Sequence, residues 1–391
     1  MRSRKSIRSA FAFLAAWMLV LVAPAAFPAR AAPWGKACTC VDTYALWGRI
    51  PTPSADGDIV RFPDANLERV IRQAIARPGG DIRKTDLERL TELSAQSRDI
   101  ANLEGLQFCV NLTDLELGGN VRIRDISAIG SLRELTMLDL SFNQVSDLRP
   151  LSGLNKLRTL HVAGSSMSDI GPLDELESLT CLHLCGNRIS DISPLGRLAN
   201  LEELSLQSNE LDDLFPLASL TNLRILSLSG RQIGDISALS GLAKLTHLSI
   251  LGNRITDIGP LSDLAGLVDL DLGRNQITDI RPLAHLESLR TLDLEWNRVT
   301  DISPLAKLTA LETLDLRWNW VSDIGPLAGL ADLAWIDLGA NQVSDLGPLV
   351  ENAGLGAGDY IGLCANPLGE AAVNEQIPAL KARGVAVKYL P

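Results

Sequence analysis

Aspartates in the C-terminal half of the sequence are the residues most able to bind a ligand through charge. Four of them recur every 22 residues, and a fifth precedes the first by two positions: Asp269, Asp271, Asp293, Asp315 and Asp337. Each of the four stands between two aliphatic residues of a predicted strand, so its side chain points away from the core. Neighbouring carboxylates repel, which suits a face that meets a cation or a basic partner. For the aspartates alone, we favour a simpler explanation, in which they are common, solvated residues of a repeat.

Aromatic and charged residues flank this row. Clustered exposed aromatic groups on a protein surface indicate contact, and Trp and Tyr are enriched in interface hot spots. The sequence therefore predicts a partner-binding site made from Asp271, Asp293, Glu295, Trp296, Asp315, Arg317, Trp318, Trp335, Asp337 and Tyr360.

Cysteines and histidines mark a second candidate site. Cys181, His183 and Cys185 alternate along one predicted strand, and His161 lies opposite His183 one repeat earlier. Alternate strand residues are roughly 6.6 Å apart, so His161, His183 and one cysteine, with Cys185 as the candidate, can share a zinc ion. No further ligand is evident at the neighbouring Glu203. We favour ordinary polar residues on a solvated sheet, and predict no metal and no cofactor.

The six cysteines of the chain raise the question of disulfides, because export and disulfide formation go together. Our preferred pair joins Cys38 or Cys40 to Cys109. Cys364 is expected to stay unpaired.

Catalytic motifs are missing from the sequence. It contains no Gly-x-Ser-x-Gly, His-Glu-x-x-His or phosphate-binding glycine loop, and one of its four histidines, His285, falls on a predicted convex turn. We therefore predict no catalytic residues and no enzyme.

A 22-residue repeat positions all of these side chains. The copy that starts at Leu289 reads Leu-Arg-Thr-Leu-Asp-Leu-Glu-Trp-Asn-Arg-Val-Thr-Asp-Ile-Ser-Pro-Leu. Its second aspartate recurs in eleven copies, at Asp125, Asp147, Asp169, Asp191, Asp213, Asp235, Asp257, Asp279, Asp301, Asp323 and Asp345. This period and spacing are typical of leucine-rich repeats. The sequence predicts an α/β solenoid, with a curved parallel sheet and short 3₁₀ or helical convex turns.

Five segments follow from the composition. They are a signal peptide at 1–31, an irregular lead-in at 32–61, a helical N-terminal cap at 62–89, repeats at 90–366 and a C-terminal cap at 367–391. The first is basic and apolar, as export signals are. Asp64 is predicted to cap a helix, and the caps cover leucines that an open solenoid end would expose.

Charge and hydropathy limit the partners. Without the five cations of the leader, 31 basic residues face 47 acidic ones, which argues against nucleic acid. No second apolar stretch is long enough to span a bilayer. We expect a secreted or periplasmic protein.

The chain resembles the internalin-like secreted leucine-rich-repeat proteins of bacteria over roughly 62–391. The resemblance rests on the repeat unit, the preceding helical cap and the Asn-Pro-Leu that starts at Asn366. It implies a protein-binding surface displayed outside the cell on the concave strands, without indicating which partner.

We therefore interpret the chain as an exported, monomeric binding module whose concave face recognises a macromolecule, expected to be an extracellular or envelope protein. Two alternatives stay open. One is a glycan binder that stacks Trp296, Trp318 and Trp335 on sugar rings. The other is a metal-dependent adhesive module that uses the aspartates or the Cys/His strand.

Overall fold

The computed structural model describes residues 59–230 and 232–390. The predicted signal peptide, most of the predicted lead-in, and Cys38 and Cys40 lie outside the described residues.

The described chain begins with short elements that cover the first coil. They are β1 (Ile59–Val60), α1 (Ala65–Ala74), β2 (Ile82–Arg83) and α2 (Lys84–Leu87), and β1 pairs with β2 antiparallel. The Asp64 carboxylate accepts hydrogen bonds from the N–H groups of Asn66 and Leu67, which caps α1 as predicted. Strand β1 lies inside the segment predicted to be irregular, because two residues are too few to show an alternating pattern.

Helix α1 is attached to the first coil by polar and apolar contacts. The second carboxylate oxygen of Asp64 accepts from the N–H groups of Ala101 (2.8 Å) and Asn102 (3.1 Å). Leu67 and Ile71 have no exposed surface. One carboxylate therefore both starts the helix and holds the loop beneath it.

A parallel sheet of 14 strands forms the body of the solenoid. Its strands are β3 (Glu92–Ser94), β4 (Asp114–Glu116), β5 (Met137–Asp139), β6 (Thr159–His161), β7 (Cys181–His183), β8 (Glu203–Ser205), β9 (Ile225–Ser227), β10 (His247–Ser249), β11 (Asp269–Asp271), β12 (Thr291–Asp293), β13 (Thr313–Asp315), β14 (Trp335–Asp337), β15 (Tyr360–Gly362) and β16 (Ala386–Lys388). The central residue of each strand from β3 to β15 is a buried leucine or isoleucine. The residues on either side of it form the concave face.

Short 3₁₀ turns return the chain on the convex side, as predicted. They span Leu106–Phe108, Ser127–Ser131, Arg149–Leu151, Gly171–Glu175, Ser193–Arg197, Phe215–Ser219, Ser237–Leu239, Gly259–Leu261, Arg281–His285, Ser303–Lys307 and Gly325–Leu327. Proline stands in the first turn of most of them, where no donated hydrogen bond is needed. The repeated aspartate precedes each of these turns from Ser127–Ser131 onward; for example, Asp191 accepts from the Ser193 N–H at 2.8 Å.

Buried asparagines connect successive coils. The Asn187 side chain donates to the carbonyls of Leu184 (2.9 Å) and Val162 (2.7 Å), and accepts from the Met167 N–H (3.0 Å). Because Val162 and Met167 belong to the preceding coil, each asparagine satisfies backbone groups of two coils. At Ser165 the asparagine is replaced, and the buried hydroxyl has no hydrogen-bond partner among the described residues.

The C-terminal end closes with helices and the last strand. Helix α3 (Gly347–Glu351) replaces a 3₁₀ turn, and a π-helical turn (Ala372–Gln376) leads into α4 (Ile377–Ala382). Strand β16 then pairs with β15. Ile377 and Leu380 are buried and cover the last coil.

Candidate functional site

The strand register aligns the predicted aspartates in one row. Asp271, Asp293, Asp315 and Asp337 are direct partners across β11 to β14. Asp269 belongs to the other concave position of β11 and faces Thr291. The row therefore has four members.

These aspartates support the turn that follows each strand. Asp271, Asp293 and Asp315 each accept a hydrogen bond from the backbone N–H two residues later, at 3.1, 2.7 and 3.0 Å. Asp139, seven strands before Asp293, makes the same bond at 2.8 Å. The row thus has a structural cause within the repeat.

Burial differs from the expectation that the whole row faces solvent. Only 4% of Asp271 and none of Asp315 is exposed, whereas Asp293 and Asp337 are half-buried. Ser249 Oγ donates to the Asp271 carboxylate at 3.0 Å, and the Arg317 guanidinium lies against both oxygens of Asp315. The two buried aspartates are therefore internal groups and do not present their oxygens to a partner.

Burial also changes the acidity of the row. It raises the pKa of Asp271 to about 6 and the pKa of Asp293 well above its usual range. It raises the pKa of Asp315 as well, against the hydrogen bonds from Arg317. Repulsion from neighbouring carboxylates, including Glu295, adds to the effect of burial. The row therefore binds protons more readily than isolated aspartates do.

Two arginines supply internal positive charge. Arg317 Nη2 lies 2.7 Å from Asp315 Oδ2 and 2.7 Å from Glu295 Oε2. Arg274 Nε lies 3.1 Å from Glu295 Oε1. The repulsion along the row suited a cation or a basic partner, but the spacing did not indicate that Arg317 of the same chain faces Asp315.

Two tryptophans stack beside this row. The rings of Trp296 and Trp318 are 4.6 Å apart and inclined by 19°, and the residues are 49% and 52% exposed. They lie in the turn after the strands, with φ angles of +53° and +56°. This is the left-handed region that glycine favours.

A second aromatic pair lies on the other side of the aspartate row. Trp335 and Tyr360 are register partners on β14 and β15, and their rings stack 5.6 Å apart. Trp320, which is 52% exposed, was not among the predicted site residues. Its position two residues beyond Trp318 could have indicated it. We use "aromatic patch" for Trp296, Trp318, Trp335 and Tyr360.

The Cys/His site differs from the predicted trio. The Cys181 Sγ lies 3.8 Å from His161 Nε2 and 3.7 Å from His183 Nε2, and the two imidazole rings stack 4.4 Å apart. Cys185 is buried outside this group, because β7 ends at His183 and the strand alternation ends with it. Glu203, which had been set aside, lies 2.8 Å from His183 Nε2.

The thiols give no support to a disulfide. Cys109, Cys181, Cys185 and Cys364 are free, and burial raises the pKa of Cys109 to about 12. The predicted bond from Cys38 or Cys40 to Cys109 involves residues outside the described range and stays a prediction.

None of the helices in the described part of the chain has the length and apolar character of a membrane span.

Comparison with known proteins identifies the family. The family model for leucine-rich repeats, which spans two copies of the repeat, matches this chain at residues 133–177, 177–219, 199–242, 221–263, 243–285 and 287–329. The internalin InlF from Listeria monocytogenes, whose crystal structure is known, shares 32% sequence identity with this chain. The alignment of the two covers 75% of this chain and 94% of the InlF chain, with a TM-score of 0.66. The chain belongs to the internalin family.

More distant structures share the fold of this internalin-type chain. The functional domain of InlJ from Listeria monocytogenes is 20% identical to this chain. The alignment covers 82% of this chain and 78% of the InlJ chain, with a TM-score of 0.61. The plant peptide hormone receptor RGFR1, solved in complex with RGF2, is 20% identical to this chain. The alignment covers 79% of this chain and 58% of the RGFR1 chain, with a TM-score of 0.60. No curated protein sequence matches the chain. Leucine-rich-repeat relatives of this kind are protein-interaction modules.

Proposed function

We propose that this internalin-type chain is an exported binding module that recognises an extracellular or envelope protein through its aromatic patch and the adjoining carboxylates. The observation that carries the proposal is the exposed stack of Trp296 on Trp318. Large apolar groups exposed together on a protein surface favour contact with a partner. Tryptophan is also the residue most enriched in interface hot spots.

The backbone conformation at these tryptophans is a property of the repeat. Other coils place Gly164, Gly186 and Gly252 at the same position, and also Phe142, Ser208, Arg274 and Ala340, all with positive φ. A side chain in this conformation costs roughly 1–2 kcal/mol relative to glycine. What distinguishes these two coils is that their side chains are large aromatic groups that stack on each other at the surface.

Charge indicates what the partner should offer. Half-buried Asp293, Asp337 and Glu295 line the space between the two aromatic pairs, and the pKa of Asp293 is raised well above its usual range by burial and by Asp271 and Asp315. A lysine or arginine of a partner would neutralise this charge while its neighbouring apolar groups cover the tryptophans. We therefore expect a partner surface with a basic residue inside an apolar patch.

The export step rests on residues 1–31, which are predicted to be a signal peptide. N-terminal sequencing of protein recovered from the culture medium or periplasm tests it. A start near residue 32 is the expected result, whereas an intact leader on cytoplasmic protein contradicts export.

Capture of partners from extracellular and envelope fractions tests the binding face. The Trp296→Ala/Trp318→Ala and Asp293→Asn/Asp337→Asn variants should each lose the protein that the native chain captures. Asp315 is left unchanged because it is buried. Phe215→Ala is the matched control, since Phe215 is an aromatic residue on the convex side with 76% exposure. Equal capture by all variants, or capture by none including the native chain, contradicts the proposal.

Carbohydrate is the second candidate, and the placement of the two aromatic pairs on either side of the carboxylate row favours it. Aromatic faces stack on sugar rings while carboxylates accept from hydroxyl groups. An oligosaccharide array separates the two functions. Saturable binding of simple glycans that depends on Trp335 and Tyr360 supports this candidate over the protein ligand.

A further inference from the structure

Four potential metal ligands converge on three adjacent strands of the concave face, away from the aromatic patch. His161 and His183 are register partners on β6 and β7. Cys181 and Glu203 are register partners on β7 and β8. The donor atoms of His161, Cys181 and His183 all lie within 4.8 Å of one another.

The separations match the coordination shell of zinc. With Zn–S near 2.3 Å and Zn–N near 2.0–2.1 Å, tetrahedral geometry places sulfur and nitrogen about 3.5 Å apart. The Cys181 Sγ is 3.8 Å from His161 Nε2 and 3.7 Å from His183 Nε2. Side-chain shifts of a few tenths of an ångström, with rotation of the nearly parallel imidazole rings, bring the three donors onto one ion.

Glu203 supplies the fourth ligand. Its Oε1 lies 2.8 Å from His183 Nε2, which is a hydrogen-bond distance, and a tetrahedral site requires about 3.3 Å between zinc-bound nitrogen and oxygen. The ion would take the place of the proton that these two atoms share. One thiolate, two imidazoles and one carboxylate form a ligand set that suits zinc better than magnesium or calcium.

A catalytic interpretation fits the same residues less well. A nucleophilic cysteine needs its base on one imidazole nitrogen and the orienting acid on the other. Here both Cys181 and Glu203 contact Nε2 of His183.

The histidine beside it is suited to a metal. His161 offers its Nε2 to the same side as Cys181 and His183, and neutral imidazole is the form in which histidine binds a metal. Asp139 is the register partner of His161 on β5 and adds negative charge beside the site.

We propose that His161, Cys181, His183 and Glu203 form a tetrahedral zinc site that joins β6, β7 and β8. Binding converts the Cys181 thiol to a zinc-bound thiolate and releases its proton to solvent. Because the ligands come from three consecutive coils, the ion connects them across the concave surface. The site is separate from the proposed protein-binding face, which uses strands β12 to β15, so either can fail without the other.

The test uses the full chain, purified without a histidine tag and stripped of metal by a chelator. Titration with Zn²⁺ should show one equivalent bound and a higher midpoint of thermal unfolding. Co²⁺ should give a sulfur-to-metal charge-transfer band and the ligand-field bands of a tetrahedral ion. Cys181→Ser and His161→Gln should each weaken Zn²⁺ binding by more than about tenfold, with circular dichroism showing that they fold.

Two variants serve as matched controls and should bind Zn²⁺ as the native chain does. Cys185→Ser removes a thiol two positions beyond His183. His247→Gln removes a concave histidine that is also paired with a carboxylate, Asp269, at 2.8 Å. Three results overturn the proposal: no stoichiometric Zn²⁺, a Co²⁺ complex without the sulfur band, or binding that survives Cys181→Ser and is lost only with Cys38→Ser/Cys40→Ser.

Discussion

Arg317 covers the carboxylate of Asp315 so closely that its Nε lies 3.0 and 2.9 Å from the two oxygens. Asp315 has no exposed surface, while Arg317 is 39% exposed. Arg281 and Asp279 repeat this arrangement on the convex side, with 2.9 Å from Nε to each oxygen and both side chains exposed. The two Asp-x-Arg pairs thus share a geometry and differ in burial, which makes each a control for the other.

Removal of the buried pair's cation should destabilise the protein. Arg317→Gln leaves the Asp315 carboxylate without its charge partner, which we expect to cost about 1–3 kcal/mol at pH 7. The cost should be smaller at pH 5 than at pH 7, because burial raises the pKa of Asp315 and protonation as the pH falls removes the charge that needs a cation. Urea unfolding at the two pH values measures it. Arg281→Gln should leave stability unchanged, and a cost as large as that of Arg317→Gln would contradict the role assigned to burial.

Stability should depend on pH through Asp271. Its pKa rises from the unfolded value of about 3.9 to about 6 in the folded chain because it is buried. The native state therefore binds a proton more tightly than the unfolded state. The corresponding stability is complete below about pH 4 and is lost as pH rises through 6, by about 2–3 kcal/mol.

Asp271→Asn isolates this contribution. The amide keeps an acceptor for the Gly273 N–H, it replaces the oxygen that accepts from Ser249 Oγ with an N–H group that can donate to it, and it carries no charge. Relative to the native chain it should gain stability between pH 4 and pH 6.5 in urea unfolding. Asp279→Asn should leave the pH dependence over this range unchanged, because hydrogen bonds from Arg281 lower the pKa of the exposed Asp279 to about 2 and keep it ionised throughout. Parallel pH profiles for the native chain and Asp271→Asn would show that Asp271 titrates normally.

Trp296 and Trp318 should strengthen the binding of a partner and lower the stability of the folded chain. Glycine relieves the positive φ at Trp296 and Trp318, worth roughly 1–2 kcal/mol each, and loses a ring stack worth about 0.5–1.5 kcal/mol. Trp296→Gly/Trp318→Gly should therefore unfold no earlier than the native chain and should fail to capture its partner. Phe142→Gly, at the same position of an earlier coil with φ of +56°, should keep capture. An earlier thermal midpoint for the double variant would argue against strain.

The repeat made the fold predictable, whereas the site was predictable only in part. A period of 22 determines which residues share a register, so the aspartate row and the pairing of His161 with His183 followed from counting. The burial of a side chain does not follow from counting residues. Asp271 and Asp315 are buried by neighbouring side chains, chiefly Arg317 in the case of Asp315, and sequence spacing says nothing about where a long arginine side chain folds.

Strand length was the other feature that the sequence did not predict. Alternation along the sequence predicted that Cys181, His183 and Cys185 would share one face. The strand ends at His183, so Cys185 turns inward and is buried. The same limit concealed Glu203, whose side chain is long enough to reach the preceding strand from β8. Contacts between strands depend on side-chain reach, which a one-dimensional pattern does not contain.

Ser165 interrupts the asparagine ladder, and restoration of the ladder should stabilise the solenoid. In the regular coils each inner carbonyl accepts from two asparagines; the Leu184 carbonyl accepts from Asn187 and Asn209 at 2.9 and 3.0 Å. The Val162 carbonyl accepts from Asn187 alone among the asparagines described. Ser165→Asn places a second donor there and replaces an unpaired hydroxyl.

We expect Ser165→Asn to raise the free energy of unfolding by about 1–2 kcal/mol, the net value of one or two buried hydrogen bonds. Asn187→Ser makes the reverse change one coil later and should lower it by at least as much, since it leaves backbone donors of Ser165 and Met167 without their acceptor. Urea unfolding of both variants measures the pair. If Ser165→Asn destabilises the chain, the space beside Ser165 is too small for an amide, and the interruption reflects packing between Asn143 and Asn187 instead of a missing bond.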